Sequence, residues 1–275
     1  MCIRDSAHTV EVDEDHETQA MAHTTRHEQV HHPLISAVLR RPQWAPRPFT
    51  RLVSKVSAGT REIARSTNTI EREWHLVAAA ALREDLPLWV VLGDSISQGV
   101  GATSLSRSWV ARIAGALEAD GRPVGVVNLS RSGARSHDVR DEQLDLLSHL
   151  DRSPTLVTCG VGSNDLMRNP APPAVAARVR AVSEHLPDKS IVSTLPAPSI
   201  SPSGRYINRA VRPSAEERGH RVADVVPHMV SPRQGLSIDR FHPSDRGYDA
   251  WVNAYCEVLE LDPDQVPDEW EPPRV

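Results

Sequence analysis

The chain has 275 residues, of which 39% are hydrophobic and 24% are charged, and its formal net charge is −5. This length fits one sizeable domain with extensions, and the acidic balance argues against nucleic-acid binding, which normally uses a basic face. The three cysteines, Cys2, Cys159 and Cys256, have no CxxC spacing and argue against a disulfide framework or a structural zinc site.

The N-terminal part of the chain differs from the rest in composition and in hydrophobic periodicity. Residues 1–35 are rich in His and Glu with little periodicity, which predicts a disordered tail, and the first six, MCIRDS, resemble the translation of a sequencing adapter. The tail lacks the apolar core of a signal peptide, and no run is long enough to span a membrane. We therefore expect a cytoplasmic protein without stable membrane insertion. Residues 36–85 contain a linker interrupted by prolines, and a helical pattern runs from Thr50 to about Arg83. This pattern predicts a helical extension, which either packs on the main domain or binds a protein partner.

From Leu86 onward, apolar runs alternate with helical patterns. The runs LWVVLG, VGVVNLS, TLVTCGVG, SIVSTLP and RVADVV predict five strands, the first buried on both faces. Helices are predicted from Trp109 to near Gly121, over DVRDEQLDLLSHL with Asp138 as its cap, over PPAVAARVRAVSEHL, near GRYINRAVRPSAEERG and over SDRGYDAWVNAYCEVLE. This alternation predicts a flavodoxin-like three-layer α/β/α sandwich with a mostly parallel five-stranded sheet over residues 86–262, followed by a C-terminal tail at 263–275.

Four loops at the predicted strand ends carry small or polar residues. GDS (93–95) follows the first strand, and NLSRSGARSHD, which contains Gly133, follows the second. GSND (162–165) follows the third strand, and DRFHPSD (239–245) precedes the last helix. Because ligands collect at the carboxyl ends of parallel strands, we expect these four loops to meet at one edge.

Each candidate residue has a plainer explanation when it is taken alone. Ser95 would cap a helix, Gly133 would serve a tight turn, and Asn164 with Asp165 would cap the third crossover helix. Asp239 and His242 would form a surface pair before the last helix. Their coincidence at the strand ends favours a hydrolase site over these separate roles.

Three neighbouring residues are expected to be structural. We expect Asp94 to form hydrogen bonds beside Ser95 rather than to act as a second acid. His137 is expected on a solvated edge. Asp245 is a rival to Asp239 as the partner of His242, but it should lie inside the last helix and point away.

The four blocks, in this order, resemble those of the SGNH (GDSL-type) hydrolases over about Leu86 to Leu261. The resemblance implies that Ser95 is the nucleophile, with His242 as its base and Asp239 orienting the imidazole. It also implies an oxyanion hole made by the backbone N–H groups of Ser95 and Gly133 and the side-chain amide of Asn164. No metal and no cofactor are implied.

The implied activity is hydrolysis of a carboxylic ester, a small-molecule substrate, through an acyl-serine intermediate. The scarcity of phenylalanine and the lack of an amphipathic lid favour a small acyl or O-acetyl ester. A lysophospholipid or a thioester remains an alternative, and so does a catalytically idle protein of the same fold that only binds. A phosphodiester substrate is disfavoured by the acidic balance and the lack of metal ligands.

Overall fold

The fold is built around a five-stranded parallel sheet. The computed structural model describes residues 32–41, 57–168, 171–196 and 202–274. The strands are β1 (Leu88–Gly93), β2 (Gly125–Asn128), β3 (Leu156–Gly160), β4 (Ile191–Ser193) and β5 (Arg221–Ala223), in the spatial order β2-β1-β3-β4-β5. Every neighbouring pair is parallel, which confirms the predicted α/β/α sandwich.

The helices follow the chain order. They are α1 (Pro33–Leu39), α2 (Ala58–Ala81), α3 (Trp109–Ala119), α4 (Ser136–Asp138), α5 (Ser163–Arg168), α6 (Pro172–Ser183), α7 (Pro202–Glu217), α8 (Pro232–Gly235) and α9 (Asp245–Leu259). Ser244 caps α9 as its N-cap, since its hydroxyl accepts a hydrogen bond from the N–H of Gly247 at 3.2 Å.

The sheet is buried on both faces, as the apolar run of β1 predicts. Successive side chains of a strand point to opposite faces: Trp89 and Val91 pack in one core with α3 and α9, and Val90 and Leu92 pack in the other. All six residues of β1 are buried. Strand β1 therefore has no solvent-facing side, and the polar residues that follow it lie beyond its carboxyl end.

The N-terminal extension contains a long helix that covers an edge of the sheet. Helix α2 has 24 residues, and Ile70, Trp74 and Val77 bury its apolar stripe in the same core as α3 and α9. It packs against β2, the edge strand, and so shields backbone groups that an open edge would expose. The part of the predicted helix at residues 50–56 lies outside the described residues.

The second crossover differs from the single helix predicted for residues 138–150. The chain forms the short α4, a wider helical turn at Val139–Gln143 and a tight helical turn at Asp145–His149. Asp138 is not the N-cap, because its carboxylate accepts the backbone N–H of Arg135, three residues earlier, at 2.8 Å. The wide turn places Gln143 next to the end of β1. Its side-chain oxygen accepts the backbone N–H of Gly93, and its side-chain amide donates to the carbonyl of Gly93, each at 2.8 Å. Periodicity alone does not show such a contact.

Residues at both ends of the described chain pack on the main domain, although the sequence predicted tails at 1–35 and 263–275. Helix α1 begins at Pro33, and Leu34 is fully buried; residues 1–31 of the predicted tail lie outside the described residues. At the other end, Trp270 donates from its indole to Glu118 at 2.7 Å and packs where a Cβ on Gly115 would stand. Over the described residues, no helix is both long and apolar enough to cross a membrane.

Candidate active site

Ser95 lies on the turn that follows β1, and its backbone is tightly held. Gly93 has φ +140°, and a Cβ there would come within 2.4 Å of the carbonyl oxygen of Gly160 on β3. Asp94 accepts the N–H of Ile96 through Oδ1 at 3.0 Å, and the carbonyl of Ser95 accepts the N–H of Val100 at 2.9 Å. Ser95 is therefore presented on a compact turn at the carboxyl edge, as the sequence predicts.

The loop before α9 brings Asp239 and His242 to the same edge. His242 Nε2 lies 3.0 Å from Ser95 Oγ, and His242 Nδ1 lies 2.6 Å from Asp239 Oδ2. Asp239 Oδ1 accepts the backbone N–H groups of Phe241 and His242, each at 3.0 Å. A continuous chain of hydrogen bonds thus runs from a carboxylate through an imidazole to a hydroxyl.

The electrostatics of this chain favour an ionised Asp239. Burial by itself raises the pKa of Asp239, but the hydrogen bond and charge of the His242 side chain, with two backbone N–H groups, outweigh it and leave the pKa below its ordinary value. The Asp239 side chain is only 6% exposed. A buried carboxylate held in this way keeps one imidazole nitrogen protonated and leaves Nε2 free to accept a proton.

Asp245, the rival orienter, points elsewhere. It stands at the start of α9, three residues after His242, and its two carboxylate oxygens accept the backbone N–H and the hydroxyl of Thr103 at 2.8 and 2.7 Å. Asp245 therefore anchors the loop that follows Ser95, whereas Asp239 alone of the two contacts the imidazole.

A second close approach fixes the imidazole from the other side. Gly101 has φ +102°, and a Cβ there would lie 2.7 Å from the Cβ of His242 and 2.4 Å from the carbonyl oxygen of Pro243. Phe241 covers the ring edge-on, with ring centroids 4.8 Å apart. The glycine pair in SQGVGATS could have indicated this contact, because a side chain at either position would have to adopt positive φ.

The residues predicted to hold an oxyanion lie around the same edge. No described residue accepts a hydrogen bond from the backbone N–H of Ser95. Gly133 has φ +76° in the turn after β2. Asn164 Nδ2 donates to the carbonyl of Ala134 at 3.1 Å and to Asp94 Oδ2 at 3.3 Å. These contacts place the amide between the Ser95 and Gly133 loops, and it would exchange one of them to donate to an oxyanion.

The sequence did not reveal three polar side chains that connect the site loops. Gln98 donates to the carbonyl of Ser130 at 3.2 Å. Asp165, fully buried, accepts the backbone N–H and the hydroxyl of Ser136 through Oδ2 at 2.8 and 3.0 Å. Gln143 contacts the backbone of Gly93, as described above. Asp165 stood in the GSND block, but the two glutamines carried no sequence signal, because their roles depend on tertiary contacts.

Other candidates fall outside the site. His137 lies beside Arg135 and Asp138, with its Nε2 atom 3.1 Å from each partner. Within the described ranges, no group of three His, Cys, Asp or Glu side chains could hold a metal ion. Cys159 and Cys256 are buried as free thiols.

An apolar cavity of about 700 Å³ opens beside His242. Its lining includes Leu166, Met167, Leu195, Val226, Met229 and Trp251, together with the loop residues Arg240 to Pro243. Met167 and Phe241 are 63% and 49% exposed, unusual values for large apolar side chains. The volume falls in the range of pockets that bind small organic ligands.

Comparisons with known proteins agree with this geometry. Residues 91–250 match the sequence model of the GDSL-like Lipase/Acylhydrolase family. The chain is similar in structure to TesA (TM-score 0.55, 22% identity, 63% of this chain and 98% of that chain). It is also similar to the psychrotrophic esterase EstA from Pseudoalteromonas sp. (TM-score 0.52, 16% identity, 63% of this chain and 96% of that chain). A third similar structure is Axe2, an acetylxylan esterase from Geobacillus stearothermophilus (TM-score 0.50, 21% identity, 64% of this chain and 95% of that chain). At these identities the similarities show a shared fold. No functionally curated protein matches the sequence.

Asp94 provides the first testable prediction. Burial raises the pKa of Asp94 from 3.8 to about 6, despite the N–H of Ile96 and the nearby charge of His242, which lower it. The folded protein therefore holds this proton more tightly than the unfolded chain does, and the wild type should lose stability as the pH rises through this range. Relative to Asp94→Asn, in which residue 94 cannot titrate, the free energy of unfolding of the wild type should fall by roughly 2.4 kcal/mol between about pH 4 and about pH 7.

Urea denaturation of both proteins across that pH range measures the difference directly, since the titrating groups that do not interact with Asp94 cancel. A difference that stays constant with pH would show that Asp94 titrates at its ordinary value in the folded protein.

Proposed function

The chain belongs to the GDSL-like lipase/acylhydrolase family and is a hydrolase acting on ester bonds, and we propose that it is a serine esterase with Ser95, His242 and Asp239 as its triad. The observation that carries this proposal is the hydrogen-bond chain from Asp239 through His242 to Ser95, with contacts of 2.6 and 3.0 Å. The arrangement suits a hydroxyl that needs a base within reach in order to attack.

In the proposed reaction, Ser95 Oγ attacks the carbonyl carbon of the ester while His242 Nε2 takes the hydroxyl proton. The tetrahedral intermediate collapses, the bond to the alcohol oxygen breaks, and His242 returns the proton to the departing alcohol. Water then attacks the acyl-serine, again giving its proton to His242, and the carboxylic acid leaves as Ser95 recovers its proton. Asp239 stays ionised throughout and stabilises the imidazolium.

The negative charge on the intermediate needs fixed donors. We assign this role to the N–H groups of Ser95 and Gly133 and to the amide of Asn164. The unengaged N–H of Ser95 and the position of Asn164 between the two loops support the assignment. One such donor is typically worth about 3–4 kcal/mol in the transition state.

The cavity supports a longer acyl group than the small ester that composition favoured. It adjoins His242 and is lined mainly by aliphatic, methionine and aromatic side chains. Burying each methylene of an acyl chain contributes about 0.8 kcal/mol, whereas an acetyl group would leave most of this surface in contact with water. We propose a medium-length apolar acyl ester as the preferred substrate, which is closer to the thioesterase and lysophospholipase alternative than to a sugar O-acetyl ester.

The nucleophile is tested with p-nitrophenyl acetate, butyrate and octanoate. The wild type should hydrolyse these esters, and Ser95→Ala should lose at least about a thousandfold in kcat/KM, because no other hydroxyl contacts His242 Nε2 among the described residues. Circular dichroism checks that the variant folds. A Ser95→Ala protein as active as the wild type would refute the assignment, and an inactive wild type would favour the idle, binding-only alternative.

The orienting carboxylate is tested by a matched pair of variants, since Asp239 and Asp245 lie three residues on either side of His242. Asp239→Asn should lower kcat by about 10³–10⁴-fold, because the amide cannot hold the imidazole in the required tautomer. Asp245→Asn, which alters the anchor to Thr103 and the ion pair with Arg107 at 4.0 Å but no contact to the imidazole, should retain kcat within about threefold. Steady-state kinetics on one ester compares them. Equal losses in the two variants would contradict the assignment of Asp239.

The acyl site is tested by narrowing the cavity. Met229→Trp should lower kcat/KM for p-nitrophenyl octanoate by about tenfold, the loss expected when one or two methylenes can no longer be buried. The acetate ester should be hydrolysed within about twofold of the wild type, because its acyl group does not reach that wall. An equal effect on both esters, or a wild type that prefers acetate, would overturn the medium-chain proposal and restore the small ester.

A further inference from the structure

Helix α2 lies outside the segment matched by the family, yet it reaches the candidate active site. Its 24 residues span about 36 Å, whereas the six residues of β1 span about 20 Å. The last turn of α2 lies at the start of β2, where Ala81 Cβ is 3.0 Å from the position of a Cβ on Gly125. Because α2 runs against the strand direction, its first turns extend past the carboxyl edge and lie beside the site loops.

The first contact is at the N-terminal turn of α2. A Cβ on Gly59 would stand 2.3 Å from the carbonyl oxygen of Ile238 and 3.2 Å from the backbone nitrogen of Asp239. The helix therefore touches the backbone of the residue that orients His242. Alanine is a better helix former than glycine by up to about 1 kcal/mol, so helix propensity does not account for a glycine here, and the close approach does.

The second contact is in the middle of α2. Trp74 is 1% exposed, and its indole N–H donates to the carbonyl of Gln98 at 2.9 Å. Gln98 belongs to the turn that presents Ser95, and its backbone N–H donates to the carbonyl of Asp94 at 3.2 Å. Ile70 of α2 packs in the same core as Val100 of that turn. Helix α2 thus holds the Ser95 turn through a hydrogen bond and through apolar packing.

The loop that carries Asp239 and His242 is closed by its own hydrogen bonds, which include Ser237 N–H to the carbonyl of His242 at 2.8 Å and Arg240 N–H to the carbonyl of Ser237 at 2.9 Å, but its tip is exposed. An isolated bridge between Leu236 and Pro243 closes its base, and Ile238 at its tip is 57% exposed. Arg240 adopts φ +57° within it. An exposed loop tip opens more readily where no neighbouring element covers it, and at Ile238 the neighbouring element is α2.

We propose that α2 is a positioning element of the active site, which holds the Asp239–His242 loop through Gly59 and the Ser95 turn through Trp74. The proposal rests on the function proposed above. The two loops come from segments 147 residues apart in the chain, and α2 contacts both, so its position contributes, together with the Gly101 contact, to the distance between the imidazole and the hydroxyl. The extension would then act on catalysis without touching the substrate.

Two variants of α2 and one matched control test the proposal. Trp74→Phe keeps a buried ring but removes the donor to Gln98. Trp89→Phe removes a similar buried indole bond, of 3.0 Å to Thr158 Oγ1, at a site within the sheet. Gly59→Ala inserts a methyl group against Ile238. Each variant is measured for free energy of unfolding, kcat and KM on a p-nitrophenyl ester, the pH–rate profile, and hydrogen exchange of residues 236–243.

The two tryptophan variants should lose similar stability, but Trp74→Phe should lower kcat by about tenfold with little change in KM, while Trp89→Phe keeps kcat. Gly59→Ala should lower kcat, move the acid limb of the pH–rate profile, and speed amide exchange at residues 236–243. Full kcat in Gly59→Ala and Trp74→Phe, or equal kcat losses in Trp74→Phe and Trp89→Phe, would overturn the proposal.

Hydrogen exchange separates failure of this inference from failure of the proposed function. Exchange at residues 236–243 reports the support from α2 whether or not the protein hydrolyses esters. If the wild type is inactive but Gly59→Ala speeds exchange there, the proposed function fails and the support from α2 stands. If the wild type is active and exchange does not change in Gly59→Ala, the support fails and the function stands.

Discussion

The contact between Ser95 Oγ and His242 Nε2 is the interaction on which the rest of the structure depends. It joins two side chains 147 residues apart at 3.0 Å, and a displacement of about 1 Å would break it as a hydrogen bond. The parallel sheet provides part of the required precision, because it brings the loop after β1 to the edge where the last helix begins. Backbone contacts meet the rest: Gly93 lies against Gly160, and Gly101 lies against His242 at distances that exclude any side chain.

The site is assembled at a cost to local stability. Asp94 is a buried carboxyl group whose pKa is raised to about 6 by its burial, and Asp165 is fully buried with a carboxylate oxygen that has no hydrogen bond and whose nearest cation, Arg178, lies 3.8 Å away. Groups of this kind persist where the surrounding structure holds them in place. Here the two apolar cores on either side of β1 supply the stability, and the buried carboxyl groups fix Asn164 and the turn at Ser136.

Much of this arrangement could be predicted from the sequence, for a physical reason. A strand buried on both faces gives an apolar run in the sequence, so the end of β1 and the position of Ser95 on the turn that follows it can be predicted from LWVVLGDS. Parallel topology then predicts which loops share an edge. Side chains that act through tertiary contacts left no such pattern: Gln143 reaches Gly93 only because the chain winds into a wide turn, and Trp74 resembles any other apolar helix residue. The apolar cavity was also missed, because the described residues that line it come from several separate segments of the chain.

The loop at residues 236–243 lies between the apolar cavity and helix α2. Leu236 and Phe241 of this loop line the apolar cavity, whereas Ile238 and the backbone of Asp239 face α2. One short segment therefore has the apolar cavity, which we propose binds the acyl group, on one side and the N-terminal extension on the other. An acyl chain that fills the cavity would press on the same loop that places the imidazole, so acyl binding and alignment of the proposed triad are not independent. Support from α2 on the far side of the loop would resist that pressure, which gives a physical reason for an esterase of this fold to carry a long helix outside the segment shared with its family.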